Sequence, residues 1–511
     1  MFDTRRFSRA ASLSARMALL AAALAGACPA VAAGQADRTL VIAEEAGPAT
    51  LDPCFIRSDA ALLDNIFDTL VGRDDTGRLV ASVALDWEQT TPLVWTFHLR
   101  PGLRFQNGEP LDAAAVAFSL NRILDPALGS PNLSYIRTVA EVSAPGPLTV
   151  RIRTSAPDPL LPARMSRYPA YIVPPAYLRR VGNALFGRQP VGSGPYAVTD
   201  YAPDDHVDMI ANNAYWRATP RIRRVSWRVV PQPTARIGAL LTGEADLIDS
   251  VPVDAIGLIR RQRDLAIDGL PGSGLTLYLG LRTRQPPLND VRVRRALSLA
   301  IDRSSIVRYI LKGYATPTGT QVGPYDFGYQ DVPAPAYDPA EARRLLAQAG
   351  YPHGFSIRMQ VPRRYVKSAE IGQFIAQEFA AIGVAATLQI PDWSVYTQDV
   401  PAGRQAPIYM LAWGSTQTLD ADAALYPILH SGEPYSQVDL PQLDTLLDAA
   451  RTTMDTEIRR ALYARIQTMV TEQVPLLTLY REDQVFAATR KLIFQPRPDG
   501  RIDVFDMAWA P

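Results

Sequence analysis

Cysteine is nearly absent. Cys28 and Cys54 are the only two in 511 residues, too few for a disulfide framework. Histidine is scarce as well: His98, His206, His353 and His430 lie far apart in sequence, and no HExxH or paired-cysteine zinc pattern exists. No Walker loop or Rossmann fingerprint appears. Gly192-Ser193-Gly194 and Gly272-Ser273-Gly274 read as turns, not as a G-x-S-x-G nucleophile elbow. With no Ser-x-x-Lys anywhere, a penicillin-binding type of site is excluded. The catalytic reading left is a Ser/His/Asp set assembled by folding. Lysine is confined to Lys312, Lys367 and Lys491, so nearly all positive charge is arginine. That charge is balanced: 52 basic against 51 acidic side chains leave a formal +1, which offers no nucleic-acid or acidic-membrane footprint. Beyond the N-terminus no apolar run is long enough to span a bilayer.

What is present is an ordinary globular composition, 47% apolar and 20% charged, in a chain long enough for two or three lobes. The N-terminus has the pattern of an export segment. Arg5, Arg6, Arg9 and Arg16 form a basic stretch, Met17 to Ala27 is an apolar run of eleven, and Ala30-Val31-Ala32 offers a small-x-small cleavage site. Two variants of this reading compete. Arg5-Arg6 suggests a twin-arginine signal, but Phe-Ser-Arg follows. Cys28 suggests lipidation, but Leu24 stands one residue too far away and Pro29 follows. After cleavage only Cys54 remains, read as a buried apolar filler.

The most ordered stretch is Trp95 to Pro126. Trp95, Phe97 and Leu99 alternate with Thr96, His98 and Arg100, which predicts a strand with one apolar face. Pro101-Gly102 breaks it, Leu103-Arg104-Phe105 restarts it, and Asn107-Gly108 supplies a tight turn. Asp112 fits an N-cap, and Val116, Leu120, Ile123 and Leu124 share one face of the helix that follows. Asp125-Pro126 ends that helix.

Other elements follow from the same rules. Arg38 to Glu44 reads as an interior strand, and Asp59 to Leu70 as a helix with Leu62, Ile66 and Leu70 spaced by four. Val71 to Ala84 reads as a hairpin turning at Asp75-Thr76-Gly77. Pro190 to Tyr196 holds four chain breakers, Pro190, Gly192, Gly194 and Pro195, and reads as a crossover between lobes. Asp290 and Asp302 fit N-caps, and Asp338-Pro339-Ala340-Glu341 a capping box. The strand from Phe355, the helix striped by Ile371, Ile375 and Phe379, and the strand from Val384 predict a parallel βαβ pair.

The Trp-x-Phe-x-Leu-Arg strand, the Gly-x-x-Phe step, the Asn-Gly turn and the Asp-capped helix together closely resemble the signature of solute-binding proteins of the peptide and nickel class, which serve ABC importers. Thr50-Leu51-Asp52-Pro53, Pro190 to Tyr196, Thr276 to Gly280 and Leu288 to Ala300 resemble further family segments. The resemblance covers about residue 38 to the C-terminus. It implies an α/β, periplasmic-binding-protein-like fold: two lobes with mixed sheets and a hinge, plus an extra small α+β domain. The implied division is 1–33 signal peptide; 34–70, 190–275 and 480–511 lobe I; 71–189 the small domain; 276–479 lobe II.

It also implies where a ligand binds. The residues after Asp52-Pro53 line the family's cleft, which points to Phe55, Arg57 and Ser58. Dipeptide-binding relatives hold the peptide carboxylate with an arginine in the segment matching Val361 to Tyr365, which points to Arg363, then Arg364, beside Tyr365. A guanidinium fork suits a carboxylate because two parallel hydrogen bonds form. Trp413 matches the tryptophan of a Gly-Trp-x-x-Asp segment whose aspartate pairs with a peptide's amino group. Thr416 stands at the aspartate position here, with Asp420 and Asp422 nearby as substitutes. A threonine cannot neutralise an ammonium, so simple dipeptides are expected to bind weakly. Ligands with a blocked, acylated or displaced amino group are expected to bind better.

The expectation is a periplasmic substrate-binding component, a monomer without cofactor, catalytic residues or bound metal. It captures a peptide-like solute for ABC permease subunits. The alternatives are a nickel-chelate binder of the same class, a secreted hydrolase, or a sensor presenting ligand to a membrane receptor.

Overall fold

The computed structural model describes residues 38–56 and 61–511. The export segment, Cys28 and the candidate ligand residues Arg57 and Ser58 lie outside the described residues.

Two large sheets frame the molecule. The first runs Leu265–Leu270, Gln484–Thr489, Leu247–Ile248, Thr39–Glu44, Arg224–Val229, His206–Ala211, Tyr196–Ala202. Thr39–Glu44 is parallel to both of its neighbours, and the outer pairs are antiparallel. The second runs Ala315–Pro317, Leu476–Glu482, Thr276–Leu281, Ile408–Trp413, Phe355–Gln360, Val384–Gln389. Its parallel pair Phe355–Gln360 and Val384–Gln389 is joined by the helix Ser368–Ala381. The period of two sorts its side chains. Leu277, Leu279, Ile408 and Met410 enter one core, while Tyr278, Tyr409 and Leu411 enter the core on the other face. Both faces are therefore covered, as strands with near-continuous apolar sequences require.

A smaller unit carries Ala84–Thr91, Val94–Leu99, Thr149–Thr154 and Val139–Gly146 in one antiparallel sheet. The helix Ala113–Leu124 covers it. Asp112 caps that helix by accepting from the Ala115 amide at 3.0 Å. Val116, Leu120 and Ile123 pack there with Phe97, Val150 and Ile152, all at most 3% exposed. Each such side chain contributes about 1.5–3 kcal/mol of apolar burial. The fold is α/β, with two lobes and this α+β addition. No helix among the described residues is long and apolar enough to cross a membrane.

Two expectations change. Residues 61–70 form one 3₁₀ turn, Leu63–Asn65, instead of a longer helix. Leu62, Ile66 and Leu70 are nonetheless buried, so their spacing by four reports burial on an irregular segment. Tertiary hydrogen bonds draw its polar groups away: the Gly194 amide donates to the Ile66 carbonyl (2.9 Å), and the Asn65 side chain reaches the Ile502 carbonyl (2.9 Å) and the Val504 amide (2.9 Å).

The loop Pro190 to Tyr196 is likewise not the crossover between the two large sheets. It joins the small unit to the seven-stranded sheet and lies on Ile66. A Cβ at Gly192 would sit 1.8 Å from the Ile66 carbonyl oxygen, so only glycine fits. The chain crosses between the large sheets at residues 270–276 and 482–484. These crossings bond to each other. The Gly274 amide donates to the Glu482 carbonyl (2.9 Å), the Glu482 amide to the Leu275 carbonyl (2.9 Å), and the Gly272 amide to an Asp483 carboxylate oxygen (2.8 Å).

Candidate functional site

Strands of the two large sheets end facing each other at these crossings, and between them lies a cleft of about 1170 Å³. One wall comes from the seven-stranded lobe. It includes Glu44 and Glu45 at the end of their strand, and Ser250 to Asp254 where the helix Val253–Arg260 begins. The other wall comes from the six-stranded lobe. It includes Arg363 to Lys367 after the strand Phe355–Gln360, Leu411 to Trp413 at a strand end, and the short helix Trp393–Asp399. Glu482 to Gln484 form part of the back. Loops at strand ends between two lobes are where α/β folds bind small molecules, since rigid sheets position them.

Aromatic rings line the six-stranded side. Tyr365 meets Trp393 edge-on at 6.0 Å, Trp393 lies 6.1 Å from Tyr396, and Trp413 lies 5.0 Å from Tyr435. The Trp413 indole donates to the Ala423 carbonyl at 2.9 Å, which fixes its plane. Burial pushes the Tyr365 phenol up to about 12, so it stays protonated.

The charges are mostly spoken for within the protein. Across the cleft, Glu45 faces Arg364 at 3.5 Å and Asp254 holds Lys367 at 2.5 Å. Both pairs bridge the two lobes. Arg236 lies 3.8 Å from Asp249, and Glu44 accepts from the Trp227 indole at 2.7 Å. Asp483 is engaged by Gly272. Asp249 keeps one buried oxygen without a hydrogen-bond partner among the described residues, though Arg236 is its ion-pair neighbour, and two further groups have no ion-pair partner among the described residues. Arg363 is exposed in the wall and ion-pairs with no described carboxylate. Glu482 has an Oε1 atom shut off from solvent with no hydrogen-bond partner among the described residues.

Of the residues singled out from sequence, Arg363, Arg364, Tyr365 and Trp413 share the cleft wall. Phe55 instead packs on the core of the small unit. Thr416 is half-buried and does not line the cavity. Asp420 caps the helix Ala421–Leu429 and pairs with Arg459 at 2.6 Å, and Asp422 pairs with Arg451 at 2.8 Å. Both are buried and turned to structural work. Glu482 was missed, because Leu476–Glu482 reads as a plain returning strand and its place at a crossing depends on residues some two hundred positions away. Among the described residues no group of three His, Cys, Asp or Glu is arranged to hold a metal ion.

Comparison with known proteins gives a consistent result. The profile of the bacterial extracellular solute-binding proteins, family 5 Middle, matches residues 78–436. The chain is 29% identical over 475 residues to the glutathione-binding protein GsiB of Salmonella paratyphi A, covering 89% of this chain and 91% of that one. In fold it is similar to HbpA2 from Haemophilus parasuis (TM-score 0.83, 24% identity, 93% of this chain and 100% of that one). It is also similar to a dipeptide-binding protein from Pseudoalteromonas sp. SM9913 in complex with Met-Leu (TM-score 0.78, 22% identity, 93% and 100%).

Proposed function

The chain belongs to the bacterial extracellular solute-binding proteins of family 5, and we propose that it is the periplasmic substrate-binding component of an ABC importer. Its cargo is a peptide or peptide-like solute, delivered to permease subunits in the membrane. The observation that carries this reading is the cleft between the two lobes, walled by Tyr365, Trp393 and Trp413 and bearing Arg363, which ion-pairs with no described carboxylate. At about 1170 Å³ it exceeds the roughly 300–1,000 Å³ of ordinary small-molecule pockets. It therefore has room for a peptide of more than two residues, or for a smaller one once the lobes draw in. The paired crossings at 270–276 and 482–484 are the hinge for that motion, which gives the permease a distinct liganded shape to recognise.

Arg363 binds the ligand carboxylate, the aromatic wall covers its side chains, and Arg364 stays with Glu45 as a bridge across the mouth. The protein acts by capture, not catalysis. The similarity to a protein named for glutathione makes glutathione the first ligand to try, beside Met-Leu and a tetrapeptide.

Isothermal calorimetry with these three, followed by mass spectrometry of the solution, tests the proposal. At least one ligand is expected to bind at micromolar affinity or tighter, about −8 kcal/mol, and to be recovered intact. Arg363→Ala is expected to weaken it by about 10- to 100-fold, the value of a charge-assisted hydrogen bond, while leaving its C-terminal amide unaffected. Cleavage of any ligand, or no binding by all three, overturns the reading.

A further inference from the structure

Among the described residues that line the cleft, Arg363 ion-pairs with no carboxylate, and two acids, Asp249 and Glu482, each keep a buried carboxylate oxygen without a hydrogen-bond partner. Asp249 has Arg236 at 3.8 Å and accepts from the Ser250 hydroxyl at 2.7 Å, whereas Glu482 has no such partner. We infer that Glu482 is the residue that seats the ligand's ammonium group, so that the cargo carries a free primary amine as well as a carboxylate. This rests on the proposed capture of a peptide-like solute and narrows its class. Of the ligands expected from the loss of an aspartate at Thr416, it selects those whose amino group is displaced, and rejects those in which it is blocked.

The position explains the choice. Glu482 is the last residue of the strand Leu476–Glu482 and stands at the crossing between the lobes, where it lines the cleft that both lobes wall. Its backbone is pinned in both directions by Gly274 and Leu275, and a Cβ at Gly274 would meet the Glu482 backbone at 2.6 Å, so the side chain is held in place. Oε1 is buried and unpartnered among the described residues. An acceptor so placed costs free energy until a donor arrives, and an ammonium is the donor that also cancels its charge.

The groups around it agree. Arg364 is close enough for its charge to act on Glu482 but is itself within 3.5 Å of Glu45. Tyr365 and Tyr480 are neutral phenols, and Asp483 is turned to the Gly272 amide. Burial raises the Glu482 carboxyl to about 7, so its proton is poised to leave when a cation docks.

The test is calorimetry on two matched pairs, glutathione with N-acetylglutathione and Met-Leu with N-acetyl-Met-Leu, against the native protein and Glu482→Gln. For the member that binds, acetylation is expected to cost the native protein about 10- to 100-fold, and Glu482→Gln to cost the free amine a similar factor while sparing the acetylated partner. The spared partner also shows that the variant is folded. On the native protein alone, binding of the free amine is expected to release protons near pH 7 and to weaken by about tenfold from pH 8 to pH 6. If acetylation costs nothing, if the variant loses both partners alike, or if no protons are released, Glu482 is a wall residue and the inference is wrong. If the native protein binds none of the four, the capture of peptides fails, and this inference with it.

Discussion

Asp499→Asn removes one charge from a buried cluster that underlies the cleft, and its cost follows from the count of neighbours. Asp499 is 1% exposed and lies 3.1 Å from Arg501 and 3.5 Å from Arg497. Arg167 donates to its backbone carbonyl, and Arg73 is close enough to feel its charge. Asp64 offers the arginines longer contacts, 3.6 Å to Arg501 and 3.9 Å to Arg167. The variant therefore leaves buried guanidinium groups without their nearer counter-charge. Breaking a buried pair from one side costs about 3–5 kcal/mol. The segment it anchors supplies Gly500 and Ile502 to the cleft, so ligand affinity falls along with stability. The arginines hold the Asp499 carboxyl below its ordinary 3.8. A depressed carboxylate stabilises the fold above its unfolded value and loses that contribution as pH falls through the folded one. The deficit of the variant is thus full at neutral pH and shrinks below pH 3.8. Urea unfolding at pH 7 and at stepped lower pH values measures it. A loss under about 1 kcal/mol at pH 7, the value of an exposed pair, or a deficit that grows on acidification, refutes the reasoning.

Gly192→Ala places a methyl carbon on the Ile66 carbonyl oxygen; the variant is expected to fail to accumulate as folded protein, read by soluble yield and circular dichroism. The Cys54 thiol is 2% exposed and raised by burial, so Ellman's reagent is expected to react with it only after denaturation, and rapid labelling of the native chain contradicts its burial. Asp254→Asn removes an exposed bridge between the lobes; it is expected to raise the ligand Kd by no more than about fivefold, at low salt chiefly, and a larger effect means the bridge is shielded from water.

Local chemistry was legible in the sequence. Asp112, Asp290, Asp302 and Asp338 each cap the helix they were read to cap, because an N-cap needs only residues two or three positions apart. Even there a neighbour intervenes: Glu341 pairs with Arg344 instead of closing the capping box on Asp338. The parallel pair around Ser368–Ala381 was legible for the same reason. What was not legible depends on distant partners. The segment 61–70 gives its polar groups to Gly194, Ile502 and Val504, and so does not complete a helix. Glu482 is a strand residue like its neighbours until residues 270–276 are laid beside it. Asp420 and Asp422 looked free because Arg459 and Arg451 come from helices further along.

The central claim is that an intact, peptide-like solute sits between the two lobes. Native mass spectrometry of the exported protein, purified without denaturation, tests it most directly. The account predicts a species of a few hundred daltons bound one to one, bearing a carboxylate and a free amine, released intact on unfolding and depleted in Arg363→Ala. A bound species lacking a carboxylate, or peptides returned as cleavage products, contradicts it.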